Sequence, residues 1–117
     1  MTIKVYQYPR CSTCRKALKF LDGRDVTYDA IDIVENPPNQ TELKQMLTYF
    51  QGQIKRLFNT SGELYRALGL KDKLPTMGDD EAIALLSQHG KLIKRPFLLT
   101  GQGGTVGFKE EIWDALV

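Results

Sequence analysis

The chain has 117 residues, of which 42% are hydrophobic, 26% charged and 9% aromatic. These fractions are typical of one globular domain, and they exclude a disordered chain, a collagen-like chain and a disulfide-dense scaffold. Sixteen basic residues against fourteen acidic ones leave a net charge of +2, which is too small to indicate direct binding of nucleic acid.

The first thirty residues predict a strand, a helix and a second strand. Residues 3–8 alternate in polarity and are rich in β-forming side chains, and Pro9 ends this strand. Apolar residues then recur at helical spacing over about residues 12–21, with Gly23 as the stop signal. A second strand is expected over residues 26–31.

The middle of the chain predicts a run of helices. Asn39 and Glu42 have the spacing of a capping box, and an apolar stripe at i, i+3, i+4 and i+7 follows them. Residues 54–74 predict short helices broken by glycines, and another helix is expected over residues 79–90. We therefore expect a helical insertion over about residues 39–90.

The last quarter of the chain predicts a hairpin and a closing helix. Two apolar runs, residues 97–100 and 105–108, flank a glycine-rich turn, which is typical of a β-hairpin. Residues 109–116 predict a helix with three side chains directed inward. These are Ile112, Trp113 and Leu116.

The order of elements indicates the fold. A β-α-β half, a helical insertion and a ββα half, with a right-handed crossover between the first two strands, give a mixed α/β sheet flanked by helices. By analogy of fold, this is the thioredoxin-like arrangement with extra helices between its halves. We expect a single domain over residues 1–117.

Both cysteines lie in the segment Cys11-Ser12-Thr13-Cys14, between the first strand and the first helix. Free backbone N–H groups and the helix dipole favour an anion at this place, which lowers the pKa of a thiol. The chain before Asp22 contains basic residues and no acidic one. We therefore expect Cys11 to be the nucleophile and Cys14 the resolving thiol.

Other interpretations of the cysteine pair remain open. A structural zinc ion needs four ligands, and His89 is the only other soft ligand in the chain. Cys14 lies on the apolar stripe of its helix and is a candidate for simple packing, and the pair is also compatible with no redox role. We expect neither a metal nor an organic cofactor.

The hydropathy of the chain argues against a membrane protein. No apolar run approaches the roughly 20 residues that a membrane span needs, and the start Met1-Thr2-Ile3-Lys4 has no signal-peptide core. We expect a cytoplasmic protein without membrane contact. In that reducing compartment, a close cysteine pair is more typical of a catalytic, sensory or metal site than of a structural disulfide.

Arg95-Pro96, just before the predicted hairpin, is the second functional candidate. A proline suits the start of a strand, and X-Pro bonds are those that adopt the cis form readily. In thioredoxin-like folds a cis-proline faces the cysteine pair, so Pro96 is the candidate for that position. Arg95 then lies near the thiols and stabilises a thiolate or binds an oxyanion; the alternative is a solvated cation.

These segments resemble a known superfamily. Residues 8–17, Tyr-Pro-Arg-Cys-Ser-Thr-Cys-Arg-Lys-Ala, are similar to the active-site segment of the glutaredoxin-coupled arsenate reductases (ArsC) and of the Spx/MgsR proteins. Residues 35–38, 92–96 and 107–111 recur at matching places. The resemblance spans nearly the whole chain and implies the thioredoxin-like fold.

For arsenate reduction, the resemblance implies one reactive cysteine and three arginines that hold the oxyanion. The cysteine corresponds to Cys11 and one arginine to Arg95, whereas the other two positions fall on Asn59 and Phe108. Each charge-assisted hydrogen bond lost in this way is worth roughly 1.5–3 kcal/mol. Arg56 is a candidate substitute for one of them, and arsenate reductase is the third of our functional hypotheses.

The first hypothesis is a thiol–disulfide redox protein whose partner is glutathione, glutaredoxin or thioredoxin. The second is a regulator of the Spx type, because the resemblance implies a Cys-x-x-Cys redox switch and binding to the C-terminal domain of the RNA polymerase α subunit. Besides the catalytic set of Cys11, Cys14 and Arg95, we expect a set of binding residues. These are Pro96, Arg10, Arg15, Asn59 and Gly52.

Overall fold

The computed structural model describes residues 3–117, and within them it has four β-strands and six α-helices. The strands are β1 (Lys4–Gln7), β2 (Asp29–Asp32), β3 (Phe97–Thr100) and β4 (Gly103–Val106). The helices are α1 (Ser12–Gly23), α2 (Gln40–Tyr49), α3 (Glu63–Ala67), α4 (Leu70–Lys73), α5 (Asp79–Gln88) and α6 (Glu110–Leu116). Over these residues, no helix combines the length and the apolar character needed to cross a membrane.

The sheet has the order β2-β1-β3-β4. β1 pairs with β2 in parallel and with β3 in antiparallel orientation, and β3 and β4 form an antiparallel hairpin. Helices α2 to α5 fill the chain between β2 and β3. The expected mixed sheet and helical insertion are therefore confirmed, and the fold is thioredoxin-like.

The sheet is covered on both faces by separate clusters of buried side chains. Successive residues of β1 point to opposite faces, as strand geometry requires: Val5 packs with Leu21 of α1 and Trp113 of α6, whereas Tyr6 packs with the helical insertion. Phe97 of β3 lies edge-on to Tyr6, with ring centroids 5.6 Å apart. The two layers fix α1, and with it the cysteine pair, against one face of the sheet.

The second strand begins three residues later than the sequence indicates. Val26 and Tyr28 are partly buried against the cluster around α1, and the Tyr28 hydroxyl donates to Asp22 at 2.7 Å. Pairing with β1 starts only at Asp29, whose N–H donates to the Ile3 carbonyl at 2.8 Å. The apolar character of the preceding segment therefore reflects packing on α1 and not a place in the sheet.

The fourth strand begins two residues earlier than expected, because glycines assigned to the turn belong to the sheet. Gly104 pairs with Leu99 in the hairpin. A side chain added at Gly104 would lie 2.8 Å from the Leu98 carbonyl oxygen and 3.0 Å from Cε of Met46. The glycine is thus required where α2 passes close to the strand.

The inward direction expected for Ile112 is wrong. This side chain is 42% exposed, whereas Trp113 is fully buried and its indole N–H donates to the Gly107 carbonyl at 3.0 Å. Trp113 takes the central place in the interface between α6 and the sheet, so the residue before it turns outward. Ile112 lies instead at the rim of the candidate site described below.

A polar network joins β1 to the start of α2. Asn39 and Glu42 form the expected capping box, with the Glu42 N–H donating to Asn39 Oδ1 at 2.8 Å. The Glu42 carboxylate, 12% exposed, also accepts from the Tyr6 hydroxyl at 2.7 Å and from Lys4 Nζ at 3.2 Å. Burial raises the pKa of Glu42, but these donors outweigh it and the pKa is lowered overall.

We expect Glu42→Gln to lower the free energy of unfolding by about 1–2 kcal/mol at pH 7, because Gln accepts less strongly from Tyr6 and Lys4. The native pKa lies below the ordinary value of 4.5, so this stabilisation is complete above 4.5 and disappears as the pH falls through the native pKa. Urea unfolding from pH 3 to pH 7 measures it. Glu35→Gln, at an exposed loop residue, is the control, and a pH-independent difference would contradict the assignment.

A second stability test concerns Gly90, which lies against the chain after β2. A Cβ at this position would overlap the Ile33 carbonyl oxygen and lie 3.1 Å from Cα of Val34. We expect Gly90→Ala to cost roughly 1–3 kcal/mol or more, since two backbone segments must separate. Gly23→Ala, where nothing lies within 4 Å, is the matched control and should be neutral or slightly stabilising. Equal thermal unfolding of the two variants would contradict the packing argument.

Candidate functional site

The cysteine pair lies where the chain leaves β1 and enters α1. Cys11 is the N-cap residue of α1, and its sulfur accepts a hydrogen bond from the Cys14 backbone N–H at 3.4 Å. The Cys11 N–H donates to the Tyr8 carbonyl at 3.0 Å, which holds the turn closed. The sulfur thus occupies the place that a serine or aspartate oxygen takes at other helix starts, where negative charge is favoured.

The two thiols have opposite acidities. Burial raises the pKa of Cys11, but hydrogen bonds from the Cys14 thiol and backbone N–H, together with the nearby Arg95 guanidinium, outweigh it, so the pKa is lowered overall. Cys14 is fully buried, and burial together with the neighbouring Cys11 sulfur raises its pKa to about 12. The Cys11 thiol therefore ionises before the Cys14 thiol, and Cys14 donates hydrogen bonds to the Cys11 sulfur.

Arg95 reaches the cysteine pair from a distant part of the chain. The Arg95–Pro96 peptide bond is cis, as expected from the fold analogy. The guanidinium carbon lies 4.9 Å from the centroid of the Tyr8 ring, and Nε is buried with no hydrogen-bond partner within residues 3–117. Tyr8 therefore supports both groups, since its ring faces Arg95 and its carbonyl holds Cys11.

A cavity of about 370 Å³ opens beside the first turn of α1. Thr13 and Phe108 contribute to its wall. Its lining includes four cations and no acidic side chain; these cations are Arg56, Lys94, Arg95 and Lys109. Thr13 of the cysteine turn and Arg95 both line the cavity, so a basic space lies next to this turn.

The residues expected in place of the oxyanion-binding arginines have different surroundings. Phe108 lines the cavity and packs edge-on to Trp113, with centroids 5.2 Å apart. Asn59 lines a separate cavity of about 190 Å³, which it shares with Arg95. Arg56, the candidate substitute, does line the same cavity as Arg95. The site therefore has two guanidiniums, one of them at a position that the resemblance did not assign.

Three other predicted binding residues lie outside the cavity. Arg15 donates to the Pro9 carbonyl at 2.9 Å and so braces the cysteine turn. Arg10 is exposed, and Gly52 is exposed in the turn after α2 with φ of +81°. None of the three lines the cavity that Arg95 and Thr13 share.

Sequence reasoning missed several residues of the cavity wall. Lys94 belongs to the basic segment 91–95, but the sequence does not show which of its cations faces the cavity. Lys109 looks like an ordinary charge before the last helix, and Phe50 like the last apolar residue of a helical stripe. The turn after β4 and the close packing of α2 bring them together.

An acidic thiol at a helix start, a buried thiol one turn later and a thioredoxin-like sheet define a thiol redox protein. A protein-family model with the description "ArsC family" matches residues 6–116 of the sequence, which is nearly the whole chain. The chain therefore belongs to the ArsC family.

Three proteins illustrate what this chain is similar to: one uncharacterised protein, one Spx regulator and one arsenate reductase. YusI of Bacillus subtilis (strain 168) is 46% identical over 111 residues, covering 95% of this chain and 94% of that protein. The global transcriptional regulator Spx of Streptococcus agalactiae serotype V is 27% identical, covering 93% and 78%. The solved arsenate reductase from Vibrio cholerae is 26% identical with a TM-score of 0.86, covering 100% and 98%. The comparisons confirm the resemblance to both branches and do not separate them.

We expect Arg95→Gln to move the pH midpoint of Cys11 alkylation upward, because one donor and one positive charge beside the thiolate are lost. Iodoacetamide modification from pH 4 to pH 10, followed by peptide mass spectrometry, measures the midpoint. Lys91→Gln removes an exposed cation of the same segment and should leave it unchanged. If both variants behave alike, Arg95 does not act on the sulfur.

Proposed function

We propose that this protein is a thiol–disulfide oxidoreductase in which Cys11 is the nucleophile and Cys14 the resolving thiol. One observation carries the proposal: the Cys11 sulfur caps α1 and accepts from the Cys14 backbone N–H at 3.4 Å, while the Cys14 side chain, in the same helical turn, is fully buried. A thiolate is the attacking form of cysteine, and a buried thiol stays protonated until it is needed. The two residues thus have different roles before any partner arrives.

The proposed reaction has two exchange steps. The Cys11 thiolate attacks one sulfur of a partner disulfide, forms a mixed disulfide, and releases the other half as a thiolate. Cys14 then loses its proton to the released thiolate or to water and attacks the Cys11 sulfur, which releases the second half. The protein dithiol is oxidised by two electrons, and the partner disulfide is reduced to two thiols.

In the proposal, Arg95 supports these steps and the cis-proline Pro96 shapes the site. Arg95 stabilises the attacking thiolate through its charge, and it remains near the sulfur because the Tyr8 ring faces its guanidinium. We take residues 1–117 as one domain that works in the reducing cytoplasm. There its partners are of the thiol class expected from the sequence: glutathione, glutaredoxin or thioredoxin.

A second candidate function is a redox-sensing regulator that binds RNA polymerase. The observations in its favour are the 27% identity to Spx over 93% of the chain and the exposed turn at Gly52 after α2. An NMR titration with the C-terminal domain of the polymerase α subunit tests it in both redox states. Shifts around Gly52 support the regulator, and absence of shifts in both states removes it.

Arsenate reduction ranks third, because Asn59 and Phe108 supply no charge where the reductases have arginine. Arg56 restores one guanidinium to the cavity, so a low activity is compatible with the site. A coupled assay with glutathione and glutaredoxin measures it, and turnover equal to that of the Vibrio cholerae enzyme would contradict this ranking.

We expect mild oxidation with diamide to remove two hydrogens from the wild-type protein by linking Cys11 to Cys14, with full reversal by dithiothreitol. Treated with glutathione disulfide, Cys14→Ser should instead retain a stable mixed disulfide between Cys11 and glutathione, with one glutathione released, because no second thiol resolves it. Cys11→Ser is the control and should react far more slowly, since the remaining thiol is buried. Intact-mass spectrometry separates these outcomes, and wild-type reactivity in Cys11→Ser would overturn the assignment of roles.

A further inference from the structure

We propose that the cavity next to the cysteine turn, which Thr13 and Arg95 line, selects disulfide partners that carry carboxylates close to their sulfur. The inference deepens the proposed function and rests on it. We call the cationic lining formed by Arg56, Lys94, Arg95 and Lys109 the basic trough. Its lining contains no acidic side chain, and within residues 3–117 the salt bridges are Lys4–Glu42 and Arg24–Asp114. The charges of the trough are therefore free for a ligand.

The two guanidiniums of the basic trough are already held in place. The Arg56 guanidinium carbon lies 4.5 Å from the centroid of Phe50, and that of Arg95 lies 4.9 Å from the centroid of Tyr8. An aromatic face attracts the flat side of a guanidinium and leaves its N–H edge free to donate. An arginine fixed in this way loses little side-chain freedom when a carboxylate binds, and the pair can be bidentate.

The size of the space indicates a ligand with several groups. The cavity of about 370 Å³ adjoins another of about 390 Å³, with which it shares Arg56, Lys94 and Val106. The outer cavity adds Lys55 and again contains no acidic lining residue. One water occupies about 30 Å³ in the liquid, so a single small oxyanion would fill little of this space. A disulfide with carboxylate substituents fits its extent and its charge.

The cations of the basic trough have different roles because they lie at different positions in it. Arg95 acts on the Cys11 sulfur, and a carboxylate that took over this guanidinium would weaken the thiolate. Arg56 and Lys94 line both cavities, so they can hold a carboxylate while Arg95 keeps its role. Selection should therefore depend on Arg56 and Lys94, and the exchange itself on Arg95 and the cysteine pair.

The test compares single-turnover oxidation of the reduced protein by disulfides that differ in charge. The small probes are 3,3′-dithiodipropionate with two carboxylates, neutral 2-hydroxyethyl disulfide, and cystamine with two ammonium groups. Dimers of Glu-Cys-Glu and Ser-Cys-Ser peptides form a second arm, which shows whether a small molecule or a peptide is accepted. Each rate is divided by the rate at which free 2-mercaptoethanol thiolate attacks the same disulfide. This division removes differences between leaving groups.

We expect the carboxylate disulfide to react at least about tenfold faster than the neutral one, with cystamine slowest, and the ratio to fall in high salt. Arg56→Gln/Lys94→Gln should reduce this ratio toward one. Lys44→Gln/Lys71→Gln, which removes the same charge at exposed sites outside the trough, should keep it. A preference in either arm supports the proposal, and the arm in which it occurs shows whether the partner is a small molecule or a peptide.

The test distinguishes failure of the proposed thiol–disulfide function from failure of the inferred selection of carboxylates. If no probe oxidises the cysteine pair, the proposed thiol–disulfide function is wrong. If all probes react at equal normalised rates, the function stands and the selection of carboxylates is wrong. If the ratio survives in Arg56→Gln/Lys94→Gln, or is lost equally in Lys44→Gln/Lys71→Gln, the preference comes from net charge and not from the trough, which also overturns the inference.

Discussion

The hydrogen bond from the Cys14 backbone N–H to the Cys11 sulfur is the interaction on which the site depends. It makes a thiol the N-cap of α1, so the helix itself favours the ionised form of that thiol. The same turn of helix places Cys14 in the buried interface with the sheet, where ionisation is disfavoured. One local conformation therefore produces two thiols of opposite character, and the sequence spacing of three residues is what permits it.

The site also depends on the pairing of β1 with β3. Tyr6 is opposite Phe97 in this antiparallel ladder, which brings the chain after β1 beside the chain before β3. Tyr8 and Arg95 meet as a result, although 86 positions separate them in the numbering. The cysteine turn positions the Cys11 sulfur, and the sheet register positions the Arg95 guanidinium, which helps to lower the pKa of that thiol.

Features written in short stretches of sequence were predictable. The capping box at Asn39 and the helix start at Cys11 depend on residues that are near neighbours in the chain, and they appear as expected. The start of β2 and the place of Gly104 were not predictable, because each depends on an element that packs against it from elsewhere.

In the site, too, the residues with a local sequence signal were predictable, and those brought together by packing were not. The cysteine pair follows from its local pattern, and Arg95 from its place before a proline at a strand start. Lys94, Lys109 and Phe50 carry no such signal, because their side chains share a wall only after three loops have met. Arg10 and Arg15 are close to Cys11 in sequence, but neither lines this cavity: Arg10 is exposed, and Arg15 donates to the Pro9 carbonyl.

The cap that sulfur provides for α1 has an energetic consequence for the redox couple. Every interaction that favours the negative charge on Cys11 is made in the dithiol state and is lost when that sulfur becomes one half of a neutral bridge. The reduced form is therefore the stabilised member of the couple, and the bridged form is the better electron acceptor. In the proposed reaction, thiols therefore reduce the bridged form readily, because this step regenerates a Cys11 thiolate that the helix start stabilises.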